Sequence, residues 1–221
     1  DGDWSVFTGQ VFQTFSELVH VKRPFRIDPG WAKWCGLDYG YADPTVCTWF
    51  ARIPKGTEIQ VEYQKPLVTT EHHVVLYRTF TARQMLAQDQ AMNIAMLSSG
   101  ERIGGVYADP SMWAHRGQAA GMTVADEYAA AGVNLTRANN DRLEGVQRVH
   151  RALAHAPYGG PELWILDTPE NHDLIRTLPG LPADPVRPED VLKSSDDHWY
   201  DSARYGLMAS DGYSPSQRTS G

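Results

Sequence analysis

The pattern of apolar and polar residues predicts a group of strands first, with strands and helices alternating after it. Residues 45–53 are rich in β-branched and aromatic side chains, which favours a strand, and residues 54–56 supply a turn. Residues 34–40 form an apolar run ending in Asp and Gly, and residues 59–67 alternate apolar with polar side chains. We therefore expect these three strands to form an antiparallel meander.

The rest of the chain predicts helices that alternate with strands. Asp141 followed by Glu144 is a helix-capping pattern at the start of one of these helices. Helices are predicted over residues 70–97, 123–131, 140–154 and 197–209, and strands over residues 103–108, 133–136 and 162–166. A meander followed by alternating elements is typical of an α/β domain with a mixed sheet flanked by helices.

The ends of the chain differ in character from its centre. Residues 1–34 are irregular but rich in aromatic side chains, so we expect a lead-in that packs on the domain. The α/β domain itself is predicted over residues 35–211, and the polar residues 212–221 are expected to form a flexible tail. Because the sequence begins Asp-Gly-Asp rather than with Met, we expect it to be a piece of a longer protein.

The composition of the chain indicates where the protein is located and which partners its charge disfavours. The 221 residues are 42% hydrophobic, which is ordinary for a globular protein that buries a core. No apolar run approaches the roughly 18 residues of a membrane span, and no signal-peptide pattern is present, so a soluble intracellular protein is expected. Cys35 and Cys47 lie in apolar stretches, as buried reduced thiols do. The formal charge of −7 argues against a simple cationic nucleic-acid coat.

Three aspartates stand out by position. Asp38 ends the first predicted strand, Asp109 ends the strand over residues 103–108, and Asp201 lies early in the last helix. Strand ends in α/β sheets line the crevice where ligands bind. Converging carboxylates need a cation, and an all-oxygen set suits Mg²⁺ or Mn²⁺, two of which can support phosphodiester cleavage. The same residues are also typical turn and helix-cap residues, and the sequence leaves both interpretations open.

Further candidates lie close to these aspartates in the sequence. His198 and Asp201 are three residues apart and share a helix face, while Asp43 and Asp197 are additional nearby acids. The most basic local run includes residues able to track phosphates, although a solvated helix face explains it equally well. Its candidate DNA-binding residues are Arg137, Asn139, Asn140 and Arg142.

Other common chemistries lack their motifs. The sequence contains no phosphate-binding loop of the G-x-x-x-x-G-K-[ST] type, so ATP hydrolysis by that route is excluded for this chain. G-x-S-x-G and H-E-x-x-H are also absent. The pairs His72–His73 and His150–His155 have no matched ligands for zinc.

Several motifs, in their order and spacing, resemble the nuclease domain of tailed-bacteriophage large terminase subunits. The similarity runs from about Trp4 to Leu207, which is most of the chain. The motifs are Gly36-Leu-Asp38-Tyr-Gly-Tyr-Ala-Asp43-Pro-Thr, Tyr107-Ala-Asp109-Pro-Ser111 and Asp197-His-Trp-Tyr-Asp201-Ser-Ala-Arg-Tyr-Gly206, with Ala138-Asn-Asn-Asp-Arg142 and Leu178-Pro-Gly-Leu181 between the last two.

The resemblance implies an RNase H-like fold and a metal-dependent endonuclease that cuts double-stranded concatemeric viral DNA during genome packaging, with little sequence preference. It implies two Mg²⁺ or Mn²⁺ ions held by Asp38, Asp109 and Asp201, with His198 as a supporting ligand. Asp43 and Asp197 match the family pattern less firmly, as additional ligands. Some relatives carry Glu at the second acidic position, where the shorter Asp109 changes the reach of the carboxylate.

The resemblance also implies partners. These are double-stranded DNA, an ATPase domain of the same polypeptide that this chain lacks, the portal protein and the small terminase subunit. The implied location is the host cytoplasm, without membrane association or incorporation in the virion. Two alternatives stay open: an RNase H or Holliday-junction resolvase of the same fold, and a non-catalytic module that docks on DNA or the portal.

Overall fold

A seven-stranded mixed sheet forms the centre of the computed structural model, which describes residues 9–61, 66–115, 121–155, 160–193 and 197–213. The strands are β1 (Val21–Lys22), β2 (Lys33–Asp38), β3 (Thr45–Ile53), β4 (Glu58–Ile59), β5 (Leu67–Val68), β6 (His73–Ala82), β7 (Ile103–Ala108), β8 (Leu135–Arg137) and β9 (Leu163–Leu166). The α-helices are α1 (Glu17–His20), α2 (Ala87–Leu97), α3 (Val124–Ala130), α4 (Arg142–Leu153), α5 (His172–Thr177) and α6 (His198–Ala209).

The strand order of the large sheet is β1-β9-β6-β3-β2-β7-β8. Strands β2, β3 and β6 pair antiparallel as a meander, whereas β1–β9, β6–β9, β2–β7 and β7–β8 pair parallel. The predicted α/β class, with an antiparallel meander followed by parallel strands and flanking helices, is therefore confirmed.

Two predicted elements are wrong in part. The helix expected over residues 70–97 is the strand β6 followed by the shorter helix α2. Residues 74–81 are dominated by β-branched and aromatic side chains, and pairing along the whole of β3 outweighs their weak helical periodicity. The third strand of the meander is therefore β6, and not residues 59–67.

Among the described residues of that expected third strand, only its two ends are paired. Ile59 lies in the two-residue strand β4 and Leu67 in the two-residue strand β5, and these two strands form a separate antiparallel pair. Residues 62–65 lie outside the described residues. Helix α5 was not predicted from the sequence pattern.

Hydrophobic clusters cover both faces of the sheet. On one face Trp34, Phe50 and Leu76 pack with residues of α4 and α6. On the other face, Leu37 and Trp49 pack with residues of α2 and α3. Both cysteines are free and buried in the second cluster. The sheet is therefore enclosed by helices, and its functional groups must lie at the strand ends.

The lead-in packs against the first of these clusters. Phe12 and Phe15 are buried, and the ring centroid of Phe12 lies 5.2 Å from that of Tyr200 in α6. Strand β1 adds to the sheet edge beside β9. Of the expected tail, only residues 212–213 are among the described residues. Within the described part of the chain, no helix is both long enough and apolar enough to cross a membrane.

Candidate active site

The first two candidate acids follow neighbouring parallel strands. Leu37 of β2 pairs with Ala108 of β7, and the backbone N–H of Asp109 donates to the carbonyl of Leu37 at 3.2 Å. Pro110 ends β7 and starts the 3-10 helix Pro110–Trp113. The register of two adjacent strands therefore brings Asp38 and Asp109 to the same edge of the sheet.

The third acid is carried to this edge by α6, which lies unusually close to β2. An added Cβ on Gly36 would lie 2.0 Å from the carbonyl oxygen of Ser202, so a glycine is required for this approach. Ser202 Oγ donates to the carbonyl of Gly36 at 3.0 Å, and Trp34 Nε1 donates to the carbonyl of Gly206 at 2.7 Å. Because α6 is held in this way along β2, its first turn, with Asp201, lies beside the end of that strand.

The buried carboxylate of Asp38 is the centre of the cluster. Only 7% of Asp38 is exposed, and His198 Nδ1 lies 2.9 Å from Asp38 Oδ2. Burial raises the pKa of Asp38 to about 6, and the negative charges of Asp201 and Asp109 act in the same direction, while the His198 contact opposes them. That hydrogen bond to Asp38 raises the pKa of His198. The three acids therefore share one electrostatic environment.

Asp109 and Asp201 each have a partner on α6. The hydroxyl of Tyr205 donates to Asp109 Oδ2 at 2.9 Å, and Arg204 Nε donates to Asp201 Oδ1 at 2.9 Å. Asn140 Oδ1 accepts from Arg204 Nη2 at 3.2 Å and lies 3.1 Å from the Tyr205 hydroxyl, whose single proton it shares with Asp109 Oδ2. Sequence reasoning missed Arg204 and Tyr205, although their spacing of three and four residues after Asp201 indicates one helix face.

The donor chemistry of the cluster fits a hard divalent cation. Asp38, Asp109 and Asp201 supply only carboxylate oxygens, and the pKa of Asp38 is raised by burial first and by the two neighbouring acids second. As the side chains stand, however, the described residues contain no group of three or more His, Cys, Asp or Glu side chains arranged to hold a metal ion. Each acid is turned to its own partner, which limits the repulsion among three carboxylates. The metal site itself stays a prediction.

The additional candidate acids are close enough to His198 to act on its charge. Asp43 is exposed in the loop after β2, and Asp197 is buried directly before α6. The negative charges of both contribute to raising the pKa of His198. Asp196 lies outside the described residues.

The loop that carries Asp43 is anchored by a buried glutamine that sequence reasoning did not select. Gln90 Nε2 donates to the carbonyl of Gly40 at 3.1 Å. Gln90 Oε1 accepts from Thr45 Oγ1 at 3.0 Å and from the Tyr128 hydroxyl at 2.7 Å. These bonds fix the turn between β2 and β3, and with it the surroundings of Asp38.

The four candidate DNA-binding residues have different environments. Arg137 is exposed, with its guanidinium 4.7 Å from the ring centroid of Trp113, beside the turn that follows Asp109. Arg142 is paired with the buried Asp190 at 2.9 Å and also donates to the carbonyl of Val191. The guanidinium group of Arg142 therefore binds groups of the protein itself.

The two asparagines of that run also differ. Asn139 Nδ2 donates to Glu144 at 2.7 Å, and Asn139 Oδ1 accepts from the backbone N–H of Asp141. Asn139 therefore supports the start of α4. Asn140 instead contacts Arg204 and Tyr205 in the acidic cluster.

Comparisons with known proteins find relatives of this fold. No protein-family model matches the chain. The large terminase subunit of Escherichia phage T5 is 37% identical over 81 residues, covering 33% of this chain and 18% of that protein. The nuclease domain of the P22 large terminase aligns over 93% of this chain and 94% of that domain, with a TM-score of 0.66 and 16% identity. The chain has the fold of a large-terminase nuclease domain.

A second terminase nuclease supports the same fold. The cobalt-bound large terminase nuclease of the thermophilic phage G20c aligns over 90% of this chain and 97% of that one, with a TM-score of 0.56 and 13% identity. The RNase H-like fold implied by the motifs is therefore confirmed. The chain covers less than a fifth of the length of the curated T5 relative that it matches.

Proposed function

We propose that this chain is the nuclease domain of a phage large terminase, a metal-dependent endonuclease that cuts double-stranded concatemeric DNA during genome packaging. The observation that carries the proposal is the shared edge of β2 and β7, where Asp38 and Asp109 meet beside Asp201. The terminase nuclease fold and the partial sequence match to a terminase large subunit support it.

The proposed cofactor is a pair of Mg²⁺ or Mn²⁺ ions held by Asp38, Asp109 and Asp201. His198 is proposed as a supporting ligand, with Asp43 and Asp197 as further ligands. The cobalt in the G20c relative supports a divalent ion at this site. When bound, such ions supply an activated water and stabilise the charge that develops on the phosphate.

The protein's own residues orient this chemistry. His198 fixes one oxygen of Asp38, Tyr205 fixes one oxygen of Asp109, and Arg204 fixes one oxygen of Asp201. The other oxygen of Asp109 also accepts from the backbone N–H of Ser111 at 2.6 Å, so an ion would bind that oxygen through its remaining lone pair. Since the reaction takes place at backbone phosphates and not at base edges, we expect little sequence preference.

The proposed partners follow from the packaging role. They are double-stranded DNA, the ATPase domain of the same polypeptide, the portal protein and the small terminase subunit, in the host cytoplasm. Arg137, exposed beside the Asp109 turn, is the best placed of the four candidate residues to contact a phosphate.

Plasmid cleavage in Mn²⁺ tests the proposal. Asp38→Asn is expected to lower the cleavage rate at least about 100-fold, because a proposed anionic metal ligand is lost, while the unfolding temperature in EDTA does not fall. The matched control is Asp167→Asn, which alters an exposed aspartate that also follows a strand and contacts a histidine, His172. The control should cut at the wild-type rate, and wild-type cutting by Asp38→Asn would refute the assignment.

A substrate panel separates the alternatives. Faster cleavage of an RNA–DNA hybrid or a four-way junction than of plain duplex would favour an RNase H or resolvase. Absence of saturable Mn²⁺ binding by calorimetry, together with absence of cutting, would favour a docking module. The proposal predicts saturable binding and cutting of plain duplex.

A further inference from the structure

Asn140 is connected through hydrogen bonds to two of the three acidic residues of the site, Asp109 and Asp201. It is exposed in the loop between β8 and α4, yet its Oδ1 accepts from two consecutive residues of α6. The donors are Arg204 Nη2 at 3.2 Å and the Tyr205 hydroxyl at 3.1 Å. The carboxamide oxygen of Asn140 therefore connects the side chains of two consecutive residues of α6, Arg204 and Tyr205.

Each of these donors also holds a different acid. The Tyr205 hydroxyl lies 2.9 Å from Asp109 Oδ2, and Arg204 Nε lies 2.9 Å from Asp201 Oδ1. Asn140 therefore connects the acid that ends β7 with the acid on α6. Asp38 is outside this network, since its hydrogen bond is to His198.

The arginine in this network is deeply built into the fold. Arg204 is 1% exposed, and its guanidinium lies 4.4 Å from the ring centroid of Tyr205. Gly145, in the middle of α4, makes room for it, because an added Cβ there would lie 2.4 Å from Arg204 Cδ. Because glycine is a poor helix former, Gly145 lowers the helix propensity of α4 at the position where Arg204 packs against it.

We infer that Asn140 is a positioning residue that fixes Asp109 and Asp201 relative to each other through Tyr205 and Arg204. This rests on the proposed function, since it assigns Asn140 to the same metal site. Without the carboxamide oxygen, Arg204 Nη2 loses this acceptor and the Tyr205 hydroxyl keeps only Asp109, so the link between the two side chains is lost. The two carboxylates can then move apart, and the site binds a divalent ion less tightly.

Calorimetric titration with Mn²⁺ tests the inference directly. Asn140→Ala is expected to weaken Mn²⁺ binding about 10-fold or more, as loss of residues that orient metal ligands commonly does. Asn140→Asp keeps oxygens for both donors and should restore binding. The matched control is Asn134→Ala, which alters an exposed asparagine before the other end of β8 and should leave binding within twofold of wild type.

The unfolding temperature in EDTA and the plasmid-cutting rate complete the test. An unchanged Mn²⁺ affinity in Asn140→Ala would overturn the inference, as would a weaker affinity accompanied by a large loss of stability that Asn140→Asp does not restore. If the wild type binds Mn²⁺ and cuts while Asn140→Ala matches it, the inference alone fails. If the wild type neither binds nor cuts, the proposed function fails and the inference fails with it.

Discussion

Asp38 combines burial with two like-charged neighbours and a histidine contact. Water is largely excluded from its carboxylate, and Asp109 and Asp201 add negative potential, so burial and repulsion both favour the protonated form. The His198 hydrogen bond favours the charged form of both partners. In the absence of metal, this pair therefore makes folding stability depend on pH.

We expect the free energy of unfolding in EDTA to fall as the pH rises through the site's titration range. The pKa of Asp38 is raised from 3.8 to about 6, so the folded state binds more protons than the unfolded state between these values. The pKa of His198 is raised above 6.5, so its contribution is complete below pH 6.5 and is lost as the pH rises through the higher folded value.

Urea unfolding at pH 4, 6 and 8, always in EDTA, measures this dependence. Asp38→Asn removes the titrating carboxylate and should flatten the change between pH 4 and pH 6. A difference between wild type and Asp38→Asn that stays constant over this interval would contradict the assignment.

Arg142 is expected to be a stabilising residue and not a principal DNA contact. Its guanidinium pairs with Asp190, which is 1% exposed, so Arg142→Ala removes the closest partner of a buried carboxylate. We expect a loss of about 3 kcal/mol in the free energy of unfolding, measured by urea denaturation. Arg137→Ala, at an exposed position, should change it by less than about 0.5 kcal/mol. Equal stability of the two variants would argue against this role.

At the scale of elements, the sequence pattern identified those strands and helices whose local preference agrees with their packing. Strands β3 and β7 have the predicted bounds, and the side chain of Asp141 accepts from the backbone N–H of Glu144 at the start of α4, as predicted. Strand β6 was missed because its apolar spacing resembles a helix, and its pairing with β3 is visible only in three dimensions.

The same limit applies to the candidate site. Asp38, Asp109 and Asp201 could be selected because the ends of strands and the starts of helices can be recognised in the amino-acid sequence. The contacts of Arg204, Tyr205 and Asn140 could not be anticipated, since they depend on how α6 and α4 approach each other. Gly145 in the middle of α4 was a local signal of that approach.

Because β2 and α6 are in close contact, we expect a methyl group added at Gly36 to lower the free energy of unfolding strongly. Gly36→Ala would place a Cβ against the backbone of Ser202, where no flexible side chain can move aside, so α6 must shift. We expect a loss of about 3 kcal/mol in the free energy of unfolding, measured by urea denaturation. Gly180→Ala, where an added Cβ meets no atom within 4 Å, is the control and should remain close to wild type. Tolerance of Gly36→Ala would contradict the described packing of α6.

At the scale of the whole molecule, the formal charge of −7 bears on the binding of both metal ions and DNA. Part of it is concentrated at the edge of β2 and β7, where bound divalent ions would neutralise it. The remaining acidic surface opposes a polyanion, so under the proposed function the chain should rely on its proposed partners to bring DNA to its site.

We therefore expect weak binding of duplex DNA by the isolated chain. At about 150 mM salt the Kd should be micromolar or weaker, and the affinity should fall further as salt increases. Fluorescence anisotropy with a labelled duplex and Ca²⁺ in place of Mn²⁺ measures this without cleavage. Nanomolar binding at that ionic strength would contradict the expectation.

Asp38, Asp109 and Asp201 are proposed to form one metal-binding site. Anomalous diffraction from crystals soaked in Mn²⁺ tests it most directly, because the ions are located independently of any activity. We predict two anomalous peaks at the shared edge of β2 and β7, both within coordination distance of Asp38, with Asp109 and Asp201 each contacting one of them. Absence of any peak at this edge, with the three carboxylates still held by His198, Tyr205 and Arg204, would contradict the claim.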